Sequence, residues 1–436
     1  MDVVRFPATI SSTNIEVNVR HFCVACRKEY PTGFHPFCAC GGMVDVEYSL
    51  ERIRLVDSPD PYVRFAKLLP LRKLNGSLPK ATYTPILQAT RLGREIGVPW
   101  LYLKNETALP TRTTKDRMAA VSIAYLRERG VRTFCVSSTG NSGTSFAHAI
   151  QRHPGMHAFL FTAEQFIPRV QHADHPQVTN FGMRDATFVE AASYAAAYAR
   201  ENGLVSESGF FNPARREGLK LAFLEASEQV PRPIDWYVQA VSSAMGIYGA
   251  YKGAKELLRL NRLQRLPRLL CVQQESCAPM VRAYADGSAT IQPQHLVPKP
   301  SGIAEAILRG DPTRAYPYIR QIVRESNGTF LAVSESEIRN ARRRVEDSEG
   351  ISPCFSASAA VAGLIKLSGT DSFDRNSVVV INLTGGDRTN SRQAANVTWI
   401  ERTSTGWTAP RPETLLAASF LPSQSDSLVD ETTTHQ

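Results

Sequence analysis

The run PTRTTKDRM holds a lysine, Lys115, flanked by Thr113, Thr114, Asp116 and Arg117. A lysine amine that burial or neighbouring cations push towards neutrality attacks an aldehyde and forms a Schiff base. Taken alone, a Lys-Asp-Arg triplet reads as a solvated helix surface. Its surroundings change that reading. The strand-like WLYLKNE lies just upstream, and a loop rich in Ser, Thr, Gly and Asn, SSTGNSG, lies downstream.

Three strand-to-loop junctions add to the lysine. In open α/β sheets, ligands bind where strands end and helices begin. SSTGNSGTS, from Ser137 to Ser145, offers hydroxyls and closely approachable backbone N–H groups ahead of a helix, which suits a carboxylate. In AVSSAMGIYGAYKG, Ser242, Ser243 and Gly246 precede a helix, a geometry for a phosphate. In LTGGDR, Thr384 precedes Gly385 and Gly386 at the end of an apolar run. A hydroxyl there bonds a pyridine nitrogen without protonating it. Each junction alone reads as a turn. Together with Lys115 they match the needs of pyridoxal 5′-phosphate.

A second constellation is Cys23, Cys26, Cys38 and Cys40. Two cysteine pairs on short turns place four thiolates around one tetrahedral Zn²⁺. The Cys38–Cys40 spacing is tighter than the common knuckle, so a metal-free remnant of the same fold stays open beside a zinc ribbon. A closed four-thiolate site has no position for chemistry and is structural. His21 and His35 read as packing or surface histidines. The other four cysteines are dispersed and read as small buried hydrophobes.

The elements that must hold these groups alternate. VPWLYLKN, VRTFCVSS, HAFLFTA, IDWYVQAVSS, PRLLCVQQ and NSVVVINL read as strands. DRMAAVSIAYLRERG, TSFAHAIQRH, GLKLAFLEASEQV and GIYGAYKGAKELLRL read as helices between them. Nearly all-apolar strands alternating with helices predict an α/β fold of parallel sheets covered on both faces. The stretch from Arg402, rich in Ser, Thr and Pro, reads as a poorly ordered tail within which LLAASFL can dock as a helical turn.

Composition sets bounds. The chain has 436 residues, 43% hydrophobic and 21% charged, enough for two or three domains with their own core. No apolar run approaches the ~20 residues that span a bilayer, and no secretory signal is visible, so a cytoplasmic location is expected. The net charge is +9, from 50 basic and 41 acidic residues, but the basic residues are scattered. No nucleic-acid recognition motif accompanies them, and an anionic small molecule explains the excess.

The order Lys-Asp-Arg, S-x-G-N, E-G-x-K, glycine turn and T-G-G resembles the fold-type II pyridoxal-phosphate enzymes, which include threonine, cysteine and cysteate synthases. The likeness covers roughly residues 20–390. KNETALPTRTTKDR is similar to the lysine motif and NPARREGLK to the N-P-x-x-x-E-G-x-K segment. QAVSSAMGIYGAYKG, EDSEGISPCFSASAAVAGL and VVINLTGGDR look closer to cysteate synthase, whereas the lysine motif is more like threonine synthase. The resemblance implies a tryptophan synthase β-like fold with two open parallel-sheet domains. These would be a large cofactor-binding domain over 46–115 and 212–400 and a smaller, mobile one over 116–211. A zinc-ribbon-like module over 1–45 and a tail over 401–436 complete the layout.

Carried over by residue, Lys115 would hold the cofactor and Asn141 would bond its 3′-oxygen. Ser243, Ala244, Met245 and Gly246 would cradle its phosphate, and Thr384 would face its ring nitrogen. Ser138, Thr139 and Ser142 would take the substrate carboxylate, with Thr113 and Arg112 beside the substrate. Arg112, Arg117, Arg309 and Arg314 stand as cations for a leaving phosphate, Arg112 first because it lies nearest the lysine. The activity implied is β-replacement on O-phosphoserine through an aminoacrylate, as in cysteate synthase. Threonine synthase-type γ-elimination and hydration of O-phosphohomoserine, a serine or threonine dehydratase, and a non-catalytic binding protein remain as alternatives. The expected partners are a small, phosphorylated amino acid and a second copy of the chain in a homodimer.

Overall fold

The computed structural model describes residues 17–51, 53–72, 74, 78–370, 372–388 and 396–419. At the N-terminal end, β1 (Val19–Cys23), β2 (Glu29–Tyr30) and β3 (Val44–Tyr48) form an antiparallel sheet in the order β2-β1-β3. The strand β3 carries this module to Tyr48, past the expected boundary at residue 45. The chain then lays down β4 (Ile86–Gln88) and β5 (Trp100–Asn105). It leaves to form β6 (Thr133–Ser137), β7 (His157–Ala163), β8 (Val178–Met183) and β9 (Val205–Ser206). It returns with β10 (Trp236–Ala240), β11 (Arg268–Gln274), β12 (Thr329–Val333) and β13 (Val378–Leu383), and closes with β14 (Val397–Ile400).

Two sheets result. The larger runs β12-β11-β10-β13-β5-β4, parallel except for the antiparallel edge strand β4. The smaller runs β14-β8-β7-β6-β9, parallel throughout. Strand side chains alternate between faces, and both faces are packed. In β13, Val378 and Val380 join one core cluster while Val379 and Ile381 join another. In β6, Phe134 and Val136 face one core and Cys135 faces the other. This is the fold class the all-apolar strands predict.

Two expectations are corrected at the C-terminal end. The strand β14, expected in the large domain, pairs with β8 in the smaller sheet. The segment from Arg402 is not a loose tail as far as Ser419. It makes a short hairpin and a helix, Pro412–Ser419. Trp407, Leu415 and Leu416 pack on the cluster around Phe161 and Tyr198, and the Tyr198 hydroxyl donates to Pro410 O at 2.8 Å. Aromatic and leucine side chains outweigh the polar composition there. Residues 420–436 of the expected tail lie outside the described residues.

The joints between elements are buried ion pairs. Arg117 lies in the helix Lys115–Glu128 and is fully buried. It bonds Glu106, just after β5, and Glu225, in the helix Pro213–Gln229. Lys104 of β5 completes the cluster, donating to Glu225 Oε2 at 2.6 Å and to Gln229 Oε1 at 2.7 Å. Arg117 is therefore a structural residue and not a phosphate ligand. A second cluster docks the N-terminal module: Asp45 accepts from Arg216 at 3.0 Å and from Lys252 at 2.8 Å. Burial alone would raise the Asp45 carboxyl, but Lys252 and Arg216 hold it well below the usual carboxylate range.

Removing one partner of a buried pair leaves an uncompensated charge, at a cost of about 3–5 kcal/mol. Glu225→Ala strands both Arg117 and Lys104. The variant is expected to lose stability of that order, read as a lower urea midpoint at unchanged slope.

Candidate active site

Lys115 is the first residue of its helix, and a set of local and long-range contacts fixes the loop before it. The Asp116 carboxylate accepts from the Thr111 backbone N–H at 2.7 Å and from the Thr111 hydroxyl at 2.5 Å. Thr113 bridges to Gly385. The Thr114 N–H donates to the Thr384 carbonyl at 2.9 Å, and the Gly386 N–H to the Arg112 carbonyl at 2.9 Å. The lysine loop is thus stitched to the Thr-Gly-Gly turn that ends β13, although the two are far apart in sequence.

Around this stitch lies a cavity of about 470 Å³. Its wall includes Lys115 with Thr113, Ser138, Thr139, Asn141, Ser142, Ser243, Ala244, Met245, Gly246 and Thr384. Every site residue expected from the sequence lies on it except the metal-ligand cysteines, Arg117 and Arg112. That residue is corrected. Arg112 has a left-handed backbone (φ 56°), is exposed, and donates through Nε to the Asp387 carbonyl at 2.7 Å. Proximity in sequence to the lysine did not place it in the cavity, because the turn throws its side chain across the Gly-Gly segment.

Two helix N-termini reach the cavity. Asn141 and Ser142 open the helix Asn141–Ile150, where first-turn N–H groups have no intrahelical acceptor. The Ser138 hydroxyl closes the loop, accepting from Gly140 N at 2.9 Å and Gly143 N at 2.7 Å. Gly140 is required: its φ is +111°, and a Cβ would meet Arg169 Cβ at 2.6 Å. The Asn141 Oδ1 accepts from Arg388, which leaves the amide NH₂ to donate. At the second terminus, Ala244 takes a left-handed conformation (φ 61°) so that the helix Met245–Arg259 starts against the cavity. Gly246 admits the Gln239 side chain, which a Cβ would meet at 2.4 Å.

Lys115 is half-buried on the cavity wall. Removal of its amine from water, and secondarily the charge of Arg215, lower it to about 8. Arg215 is buried and ion-paired with Glu207, which also accepts from Asn212 Nδ2 at 2.7 Å. The sequence reading assigned no role to Arg215, although it sits inside NPARREGLK. Phe37, Gln239, Arg309, Arg314, Cys354 and Ser356 also line the cavity. Of these, only the two arginines had been singled out for it.

The residues present fit pyridoxal 5′-phosphate. A lysine of lowered basicity, a helix N-terminus for a phosphate and the Thr384 hydroxyl share one cavity. The four N-terminal cysteines likewise fit a metal: their sulfurs lie within 4.8 Å of one another, with Cys23–Cys40 at 3.5 Å and Cys26–Cys38 at 3.6 Å. Zn–S bonds of ~2.3 Å in a tetrahedron give similar separations. His21 turns to the Tyr125 hydroxyl at 2.9 Å, and burial lowers it to about 4, in keeping with a packing role.

Comparison with known proteins agrees with the geometry. The family model described as pyridoxal-phosphate dependent enzyme matches residues 78–385, and the chain belongs to that family. Threonine synthase of Methanosarcina acetivorans is 29% identical over 383 residues, covering 83% of this chain and 90% of that protein. Cysteate synthase of Methanospirillum hungatei JF-1 is 25% identical over 386 residues, covering 85% and 90%. Among solved structures, maize serine racemase superposes with a TM-score of 0.59 at 20% identity over 70% of this chain and 89% of that one. The chain is a pyridoxal-phosphate-dependent enzyme, a lyase. Among the described residues no helix is long and apolar enough to cross a membrane.

Only a neutral amine captures the cofactor. With Lys115 near 8, the neutral fraction grows as pH rises through that value. In cofactor-free protein, the rate of appearance of the visible cofactor band is expected to rise with pH and level above about 8. A rate that keeps climbing into the ordinary lysine range contradicts the lowered basicity. Lys115→Ala is expected to abolish the band.

Proposed function

We propose that the chain carries out β-replacement on O-phosphoserine, with phosphate as the leaving group. The observation that carries this is a pair of cavity-lining guanidiniums, Arg309 and Arg314. Neither forms an ion pair among the described residues, whereas Arg215 on the same wall is neutralised by Glu207. A guanidinium matches phosphate in a bidentate fork. The names of the relatives, threonine synthase and cysteate synthase, support chemistry of elimination or replacement on an amino acid.

In this reading Lys115 would hold the cofactor, and its free amine would take the α-proton. Ser243, Ala244, Met245 and Gly246 would hold the cofactor phosphate, Thr384 would offer its hydroxyl to the ring nitrogen, and the Asn141 amide would bond the 3′-oxygen. The bound cofactor supplies an electron sink for the pair left at Cα. Ser138, Thr139 and Ser142 hold the substrate carboxylate at the helix N-terminus. The Cβ–O bond breaks with its electrons on the phosphate, which Arg309 and Arg314 receive. A nucleophile then adds at Cβ, and Lys115 returns the proton to Cα.

A second reading has one observation in its favour. The threonine synthase of Methanosarcina acetivorans is 29% identical, against 26% for the cysteate synthase of the same organism. This favours O-phosphohomoserine, with loss of phosphate from Cγ and addition of water at Cβ.

Titrating the holoenzyme with each compound, while following the visible band and released phosphate, separates the two. O-phosphoserine is expected to change the band and release phosphate at least tenfold faster than O-phosphohomoserine. The reverse preference establishes the second reading, and turnover of L-serine at the rate of O-phosphoserine overturns both.

A further inference from the structure

One cavity-lining ring does not come from the catalytic sheets. Phe37 belongs to the cysteine module and immediately precedes Cys38. Its ring centroid lies 4.7 Å from that of Phe211, and the two adjoining rings meet the same cation. Arg314 Cζ is 4.3 Å from the Phe37 centroid and 4.6 Å from that of Phe211. Arg314 is exposed on the cavity wall and has no acidic partner among the described residues, so these rings are what hold its guanidinium.

The turn that carries Phe37 is the turn that carries the thiols. Phe37 bridges to Met43, and Cys38 N donates to the Gly42 carbonyl at 2.9 Å. Gly42 sits against the cluster, where a Cβ would meet Cys23 Sγ at 2.7 Å. The same turn reaches the Arg314 segment a second time. Met43 N donates at 2.9 Å to the hydroxyl of Tyr318, in the helix Tyr316–Glu325 that follows Arg314. Four thiolates bound to one ion lock such a turn, while four free thiols leave it to its backbone hydrogen bonds and the Tyr318 contact.

We propose that metal binding at Cys23, Cys26, Cys38 and Cys40 sets affinity for the substrate's anionic end. The metal fixes Phe37, and Phe37 with Phe211 holds Arg314 over the cavity. Phe37 is a positioning residue and Arg314 the ligand-binding one. The inference rests on the phosphate reading of the cavity given above.

The test is calorimetric binding of O-phospho-L-serine to the holoenzyme, with L-serine as control and zinc content measured in parallel. Arg314→Ala is expected to weaken O-phospho-L-serine roughly tenfold, the loss of one charged hydrogen-bonding group, and to spare L-serine. Phe37→Ala is expected to weaken it several-fold with zinc retained, the kinetic loss falling on KM rather than kcat, and Phe37→Tyr to restore it. Chelation of zinc is expected to weaken the wild type by the same factor as Phe37→Ala and to add nothing in that variant. If Arg314→Ala binds like wild type, the phosphate reading fails and the coupling with it. If Arg314→Ala weakens binding but Phe37→Ala and chelation do not, the phosphate reading stands and the coupling is overturned. Equal losses on chelation in wild type and Phe37→Ala also overturn it. Should chelation unfold the chain, Phe37→Ala with zinc bound decides: tight binding overturns the proposal.

Discussion

The position of the lysine depends on a buried charge two residues after it. Arg117 sits fully buried and spends its donors on Glu106, Glu225 and the Thr84 hydroxyl. Those partners belong to three separate stretches of chain, all anchored on the large sheet or its covering helix. A buried guanidinium tolerates little displacement, since each lost bond leaves a charge without solvent or partner. The first turn of the Lys115–Glu128 helix is therefore pinned where the cluster requires it. Asp116 then fixes Thr111, and the Thr113–Gly385 bridge sets the register between the lysine loop and the end of β13. The Lys-Asp-Arg run acts as one unit, in which only the lysine faces the chemistry.

The fold was legible in the sequence because apolar strands buried on both faces leave a strong signal. The three strand-end junctions on the cavity wall were legible because two lead into helix N-termini, which leave Ser, Thr and Gly in short runs, and the third ends β13 in a Thr-Gly-Gly turn. What failed has physical causes. Arg112 was favoured by nearness to Lys115, but a left-handed turn sends its guanidinium to the Asp387 carbonyl. Arg117 looked like a free cation because its two glutamates are remote in sequence. The segment after Arg402 read as loose from its polar composition, yet a few apolar side chains find the aromatic cluster around Tyr198. Phe37 could not be seen at all, since nothing local says that a cysteine-rich turn reaches a cavity built by other elements.

Charge on the cavity wall is sorted by what neutralises it. Arg215 is buried and paired with Glu207, so its field on Lys115 is partly cancelled, and desolvation leads in lowering the amine. Arg309 and Arg314 have no such partner among the described residues. Burial lowers Arg309, with the Arg314 charge adding to the effect and Asp311 opposing it.

Under the function proposed above, this arrangement would select a ligand with negative charge at both ends. In that reading the α-carboxylate would meet the helix N-terminus at Asn141 and Ser142, where partial positive charge comes from peptide dipoles. The distal group meets whole positive charges on flexible side chains. A neutral amino acid would satisfy only the first and leave the guanidiniums to water, so discrimination against it would come from the distal end. Because that end is built by loops, an aromatic from the N-terminal module and the segment before the Tyr316–Glu325 helix, it lies outside the Arg117 cluster that fixes the lysine. In that reading substrate choice and lysine placement would be set by different parts of the chain.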